Sequence, residues 1–207
     1  MRIAALLLVT LLLPAQMPAH EKATAFERAV VQEMSDARVQ PRAYAKHLRQ
    51  WRNGFEGTLW RRPGRVALRT NEGVAALDEA IDFLESTGPV GPLRFNEGLA
   101  LAARRHARDL GPRGALEHVG LDGSHLSERV NHLGTWQGLI AENISAGEEG
   151  AREVVIQLLV DDGVAGRGHR KNLFNPKLHL AGAGFAPHQI YRVTTVIDYA
   201  DGFVERR

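Results

Sequence analysis

From Phe26 onward, apolar side chains return every three or four positions. Phe26, Val30, Met34 and Ala37 are separated by charged residues and share one face of a helix. Pro41 interrupts this run and suits the first turn of a second helical piece that carries Tyr44, Leu48 and Trp51. The same period returns at Val74, Leu77, Ile81 and Leu84 and stops at Gly88-Pro89. Asn96 is a good N-cap for a helix bearing Leu99, Ala103, His106 and Leu110, which Gly111-Pro112 and Gly114 bring to an end. Ser124 can cap a short helix with Leu126, Val130 and Leu133 on one side, closed by Gly134. Val154, Val155, Leu158 and Leu159 mark a further helix that ends before Gly163.

The last third changes period. Leu180 to Ala186 is small and apolar, Pro187-His188-Gln189 makes a turn, and Ile190 to Tyr199 is rich in β-branched and aromatic residues. Together they predict a hairpin, with the sheet completed by Leu139 to Ser145. Between the early helices, residues 53–73 stand apart. Thr58-Leu59-Trp60 and Val66-Ala67-Leu68 flank Arg62-Pro63-Gly64-Arg65, which fits either a loose hairpin or a long loop. Helices come first and strands last, which argues an α+β fold rather than an alternating α/β one.

Composition narrows the chemistry. The 207 residues include no cysteine, so thiol nucleophiles, thiolate metal sites and disulfides are excluded. The net charge is only +2, and the arginines are scattered among acids without the aromatic interleaving of a nucleic-acid groove. No nucleic-acid partner is expected. At the N-terminus, Met1-Arg2 precedes an apolar run from Ile3 to Leu13, broken only by Thr10 and followed by Pro14. That run is too short to span a bilayer and right for a signal-peptide core, so residues 1–19 are read as a signal peptide. The expectation is a secreted or periplasmic protein with no transmembrane span in the mature chain.

Several catalytic signatures are missing: there is no G-x-S-x-G elbow, no phosphate-binding Walker loop, no H-E-x-x-H and no strand-bounded G-x-G-x-x-G. Gly166 to Lys171 has glycines and basic residues that could touch an anion, but a loop leading into the final strands is the preferred reading. The informative constellation lies in the second half: His118 in Glu117-His118-Val119-Gly120, then Ser127-Glu128-Arg129, then Ala141-Glu142-Asn143-Ile144, then Gly168-His169-Arg170. Singly, each of these side chains could be an ordinary surface group.

In order and spacing this set resembles the CAP superfamily, also called the SCP/TAPS domain, in its bacterial, cysteine-free form. The resemblance runs from about residue 26 to residue 203. It is strongest in Pro92 to Asn96, Ala102 to Ala107, His118 to Gly123, Ala141 to Ile144 and Gly168 to Asn172, with residues 53–73 an insertion. It implies an α-β-α sandwich with a small antiparallel sheet between helical layers. It also implies one cleft lined by His118, Glu128, Glu142 and His169. One departure falls on the first helix, where Ser35 stands in place of an asparagine frequent in the family's Asn-x-x-Arg pattern.

Two imidazoles and two carboxylates suit a divalent metal. His118 and His169 would be ligands to zinc or a similar ion, with the glutamates orienting water or the rings. A hydrogen-bonded polar network without metal is the alternative. The functional readings are therefore a secreted protein whose cleft binds metal or an extracellular ligand (peptide, lipid or protein), a metal-dependent hydrolase of peptides or esters, or a lipid- or protein-binding module in which the tetrad is structural. No nucleophile or oxyanion donor can be named, so the sequence does not assign an enzymatic activity.

Overall fold

The computed structural model describes residues 22–206; the signal peptide read at residues 1–19 lies outside them. Helix α1 (Ala25–Val39) starts at a capping box, in which the Thr24 hydroxyl accepts from the Glu27 N–H and the Glu27 carboxylate accepts from the Thr24 N–H. Pro41 opens α2 (Pro41–Arg52) as its sequence position predicts. The insertion folds into three strands of two residues each, β1 (Phe55–Glu56), β2 (Leu59–Trp60) and β3 (Leu68–Arg69), rather than a single hairpin. Trp60, stacked on Phe55 and tilted against Trp51, seats it against the end of α2. After α3 (Val74–Ser86) the chain adds β4 (Arg94–Phe95) and the long helix α4 (Glu97–Arg113), whose N-cap is Asn96. Then come α5 (Leu126–Asn131), β5 (Gly134–Ala146), α6 (Ala151–Val160), α7 (Gly168–Leu173), β6 (Leu180–His188) and β7 (Arg192–Glu205).

The main sheet has strand order β4-β6-β7-β5. Its long pairs, β6–β7 and β7–β5, are antiparallel, and the two-residue β4 joins β6 in parallel. Alternation along each strand sends side chains to two helical layers. On one side Ala181, Ala183, Ile197 and Tyr199 join α1, α2, α3 and α6 in the principal core. On the other, Leu180, Ala186, Val196 and Ala200 meet α4 and its neighbours. This is the α-β-α sandwich expected. Glycines bring α4 close: a Cβ on Gly182 would lie 2.0 Å from the Ala100 nitrogen, and one on Gly184 would lie 2.0 Å from the Arg104 nitrogen. Only a missing side chain permits that approach.

Two buried arginines tie the layers. Glu27 of α1 accepts from Arg104 of α4 at 2.6 and 2.8 Å and from the Phe185 N–H at 3.1 Å, closing the edge of β6 beyond the short β4. Burial pushes the Glu27 carboxyl up, but the Arg104 bond and the two backbone N–H groups outweigh it and hold it below its ordinary value. Arg38, fully buried, donates to the carbonyls of Gly91, Leu173, Asn175 and Leu178. Beside it the Ser35 hydroxyl accepts from the Leu93 N–H at 3.1 Å and donates to the Leu93 carbonyl at 3.0 Å.

Candidate functional site

Strand β5 is the edge of the sheet, and the candidate residues gather on both sides of it. Glu142 points to the α4 side, opposite Asp198 of β7 in the strand register. Asn143, its neighbour, points to the other side and is fully buried, donating to the Tyr199 hydroxyl and to the His169 carbonyl. Asn143-Ile144-Ser145 has the form of a glycosylation sequon, and its asparagine is internal. Asn172 of α7 donates to the Glu142 carbonyl at 3.3 Å and to Asn143 Oδ1 at 2.9 Å, so α7 is fastened along the strand edge.

His118 and Glu142 meet directly. Glu142 Oε1 lies 2.8 Å from His118 Nδ1, and Oε2 accepts from Arg129 Nη2 at 2.6 Å. The carboxylate is almost wholly buried, whereas the His118 ring is 59% exposed. Burial raises the Glu142 carboxyl, but bonds to His118 and Arg129 outweigh it, so it is held below the usual carboxylate range and is ionised at neutral pH. An ionised carboxylate only accepts, so His118 Nδ1 carries hydrogen and, in the neutral ring, Nε2 bears the lone pair. No described residue bonds that Nε2.

His169 is oriented in the same way by a residue that sequence reading did not select. Asp161 sits at the C-cap of α6 in a left-handed conformation (φ 54°). Its Oδ1 is 2.6 Å from His169 Nδ1, and its Oδ2 accepts from the His169 and Arg170 N–H groups that open α7. The His169 ring is 25% exposed and its Nε2, too, has no partner among the described residues. The signal in the sequence was the pair Asp161-Asp162 ahead of Gly163, an acidic turn between an apolar helix and His169.

Glu128 is engaged elsewhere: its Oε2 accepts from the His125 N–H at 2.7 Å and closes the first turn of α5. Gly166 to Lys171 includes a short helix, α7, rather than only a loop. The cations Arg167 and Arg170 are paired with Glu72 and Glu79 instead of facing an open anion site. Among the described residues no cluster of three or more His, Asp or Glu side chains is arranged around a metal position.

Arg129, His106 and Asp198 complete the surroundings of Glu142. Arg129 also donates to the His118 and Ser124 carbonyls, which holds the 118–124 segment in place. His106 Nε2 lies 3.9 Å from Glu142 Oε1. Asp198 is fully buried and no described N–H or O–H is bonded to either oxygen. Burial first, and the adjacent Glu142 charge second, raise its carboxyl well above the ordinary value. An aspartate on the inward face of an apolar strand was the available clue.

In front of His169 the insertion and α6 border a cleft of about 530 Å³. Trp60 and Leu68 stand on the insertion side, Leu116 and Tyr191 come from other loops, and Asp161 and His169 also line it. Leu68, Leu116 and Tyr191 are exposed apolar or aromatic residues, so the cleft has a partly apolar rim.

Residues 48–199 match the Cysteine-rich secretory protein family (CAP), more than half of the chain. The chain belongs to this family, although it has none of the cysteines in the family's name. No curated protein matches it. Solved structures similar to it include an extracellular SCP-domain protein of Bacillus anthracis (22% identity, 54% of this chain and 34% of that one, TM-score 0.43). Another is an outer surface protein of Borrelia burgdorferi (19% identity, 56% and 80% covered, TM-score 0.46). Venom allergen-like protein 4 of Schistosoma mansoni aligns over 89% of this chain and 94% of its own, at 14% identity and TM-score 0.44. The chain thus spans about a third of the Bacillus protein.

Proposed function

We propose that this CAP-domain protein acts outside the cytoplasm and binds a divalent metal ion, zinc or a similar one, through Nε2 of His118 and Nε2 of His169. One observation carries the reading. Each imidazole is held through Nδ1 by a buried carboxylate, Glu142 for His118 and Asp161 for His169, and each leaves Nε2 without a partner among the described residues. Carboxylate–histidine pairs of this kind fix the tautomer and raise the basicity of a metal-binding nitrogen. Two imidazole ligands leave coordination positions open, and a bound metal would offer them to an extracellular ligand seated in the cleft beside His169. Glu128, occupied in capping α5, has no part in ligation in this reading. The N-terminal apolar run and the family's secretory members support the extracytoplasmic setting.

Calorimetric titration with zinc tests the proposal. Wild type should give a saturable heat, weaker at acid pH because protonated imidazole cannot ligate. The His118→Ala/His169→Ala double variant should give none, while remaining folded by circular dichroism. No saturable heat in wild type, or the same heat in the folded double variant, overturns it.

A further inference from the structure

The cleft of about 530 Å³ beside His169 carries exposed apolar side chains from three separate stretches of chain. Leu68 comes from the insertion, Leu116 from the segment after α4 and Tyr191 from the turn between β6 and β7; they are 43%, 42% and 45% exposed. Buried His188 holds two of these stretches in place. A carbonyl only accepts, so His188 Nε2 carries the hydrogen that it donates to the Ala115 carbonyl at 3.0 Å, next to Leu116. Its Nδ1 then accepts from the Ile190 and Tyr191 N–H groups at 3.2 and 3.1 Å. Exposed apolar groups fixed around a hollow suit an apolar ligand.

The charges on the cleft wall are spent. Arg62 is the only arginine or lysine among the described residues that line it, and it donates to both oxygens of Glu148 at 2.9 and 2.7 Å. Asp161 holds His169, and Asp162 accepts from the Asn71 and Glu72 N–H groups at 2.7 and 2.8 Å. Gln157 is taken up by Ser145 and the Ala146 carbonyl, and the Thr70 hydroxyl by the Thr58 carbonyl. An anionic ligand therefore finds no free cation, and a sugar finds few partners for its many hydroxyls.

His169 adds one polar requirement. Asp161 accepts from Nδ1–H, so in the neutral ring Nε2 bears the lone pair. That atom has no partner among the described residues, yet it is not one of the buried unpartnered atoms, so it is open to solvent where His169 lines the cleft. A ligand that covers it without donating a hydrogen bond strips its water and replaces nothing.

We propose that this cleft binds an uncharged aromatic side chain bearing one polar hydrogen, that of a peptide tyrosine, with its ring against Leu68, Leu116 and Tyr191 and its phenol O–H donating to His169 Nε2. The ring covers the apolar rim, Tyr191 offers it an aromatic neighbour, and the hydroxyl replaces the water lost from Nε2. The inference goes beyond the metal reading and does not rest on it, because it concerns the ring with Nε2 free.

The test is an NMR titration of the full chain at pH 8, above the ordinary imidazole range, with chelator present so that metal plays no part. N-acetyl-L-tyrosinamide is the probe. N-acetyl-L-phenylalaninamide keeps the ring without the hydroxyl, and N-acetyl-L-serinamide keeps a hydroxyl without the ring. The tyrosine probe should give saturating amide shifts at Leu68, Leu116, His169 and Tyr191 in the millimolar range. The phenylalanine probe should bind about 3–10-fold more weakly, and the serine probe should not saturate. In folded His169→Ala the two ring probes should bind equally. Leu68→Ser, at an exposed rim position, should weaken both about threefold at unchanged melting temperature. The inference is overturned if the tyrosine probe does not saturate those amides, if either control probe matches it in wild type, if its advantage survives in His169→Ala, or if Leu68→Ser leaves both ring probes unaltered.

Discussion

Replacing Glu142 by glutamine tests the electrostatics of the site because the change keeps shape and removes one charge. Glu142 is the counter-ion of Arg129, whose side chain is 9% exposed, and the acceptor for His118. Removing one partner of a buried pair costs about 3–5 kcal/mol. Two features of this structure reduce that cost. Arg129 keeps its bonds to the His118 and Ser124 carbonyls, and Asp198, directly opposite in register, can release its proton and become the new counter-ion. The expected loss for Glu142→Gln at neutral pH is therefore about 2–3 kcal/mol, and the full 3–5 kcal/mol returns in an Asp198→Asn background. Urea unfolding followed by far-UV circular dichroism measures all four corners of the cycle. Coupling above about 1 kcal/mol is predicted. Additivity within about 0.5 kcal/mol would refute the account, because it would mean that Asp198 does not respond to its neighbour's charge.

The pH dependence of Asp198→Asn alone follows from the raised carboxyl. Protonated Asp198 stabilises the fold fully below the unfolded aspartate value, ~3.9, and that contribution is lost as pH rises through the higher folded value. The asparagine variant should thus gain stability relative to wild type as pH rises above ~3.9, which melting curves from about pH 4 upward would show; a difference that stays constant over that whole range contradicts it. Asp161→Asn should cost about 1–3 kcal/mol in unfolding measurements, since a fully buried carboxylate loses three N–H donors' preferred acceptor. It should also weaken zinc about 10–100-fold by calorimetry. Gly184→Ala should destabilise by about 3 kcal/mol, because its Cβ would meet the Arg104 backbone, whereas Gly88→Ala meets nothing within 4 Å and should leave the melting temperature unchanged.

Elements with long hydrophobic periods are legible in the sequence alone. The helix capped by Asn96 appears where periodicity places it, because burial of one face decides it locally; the C-terminal strand pair also forms, but its turn lies at residues 189–191 rather than 187–189, since Pro187 and His188 pair with Val193 and Arg192. Short elements are not. Strand β4 is two residues long and exists only because Arg94 and Phe95 lie beside Leu180 and Ala181 in space. The three strands of the insertion likewise depend on Trp60 packing onto Trp51 and Phe55. At the site, His118, Glu142 and His169 are legible through their resemblance to a family pattern. Asp161, Arg129 and Asp198 are not, since their roles come from contacts across the fold and not from spacing along the chain. Glu128 shows the converse: a residue picked by pattern is occupied by a local helix cap that its spacing from His125 also allows.

The central claim is that His118 and His169 present a pair of oriented Nε2 atoms to one metal ion. X-ray absorption on the zinc-loaded protein examines this most directly. The account predicts imidazole nitrogens at ~2.0–2.1 Å, with the multiple-scattering pattern of two histidine rings, and its disappearance in the folded His118→Ala/His169→Ala variant. A shell of oxygen atoms alone, or an imidazole pattern that survives in the double variant, would contradict it.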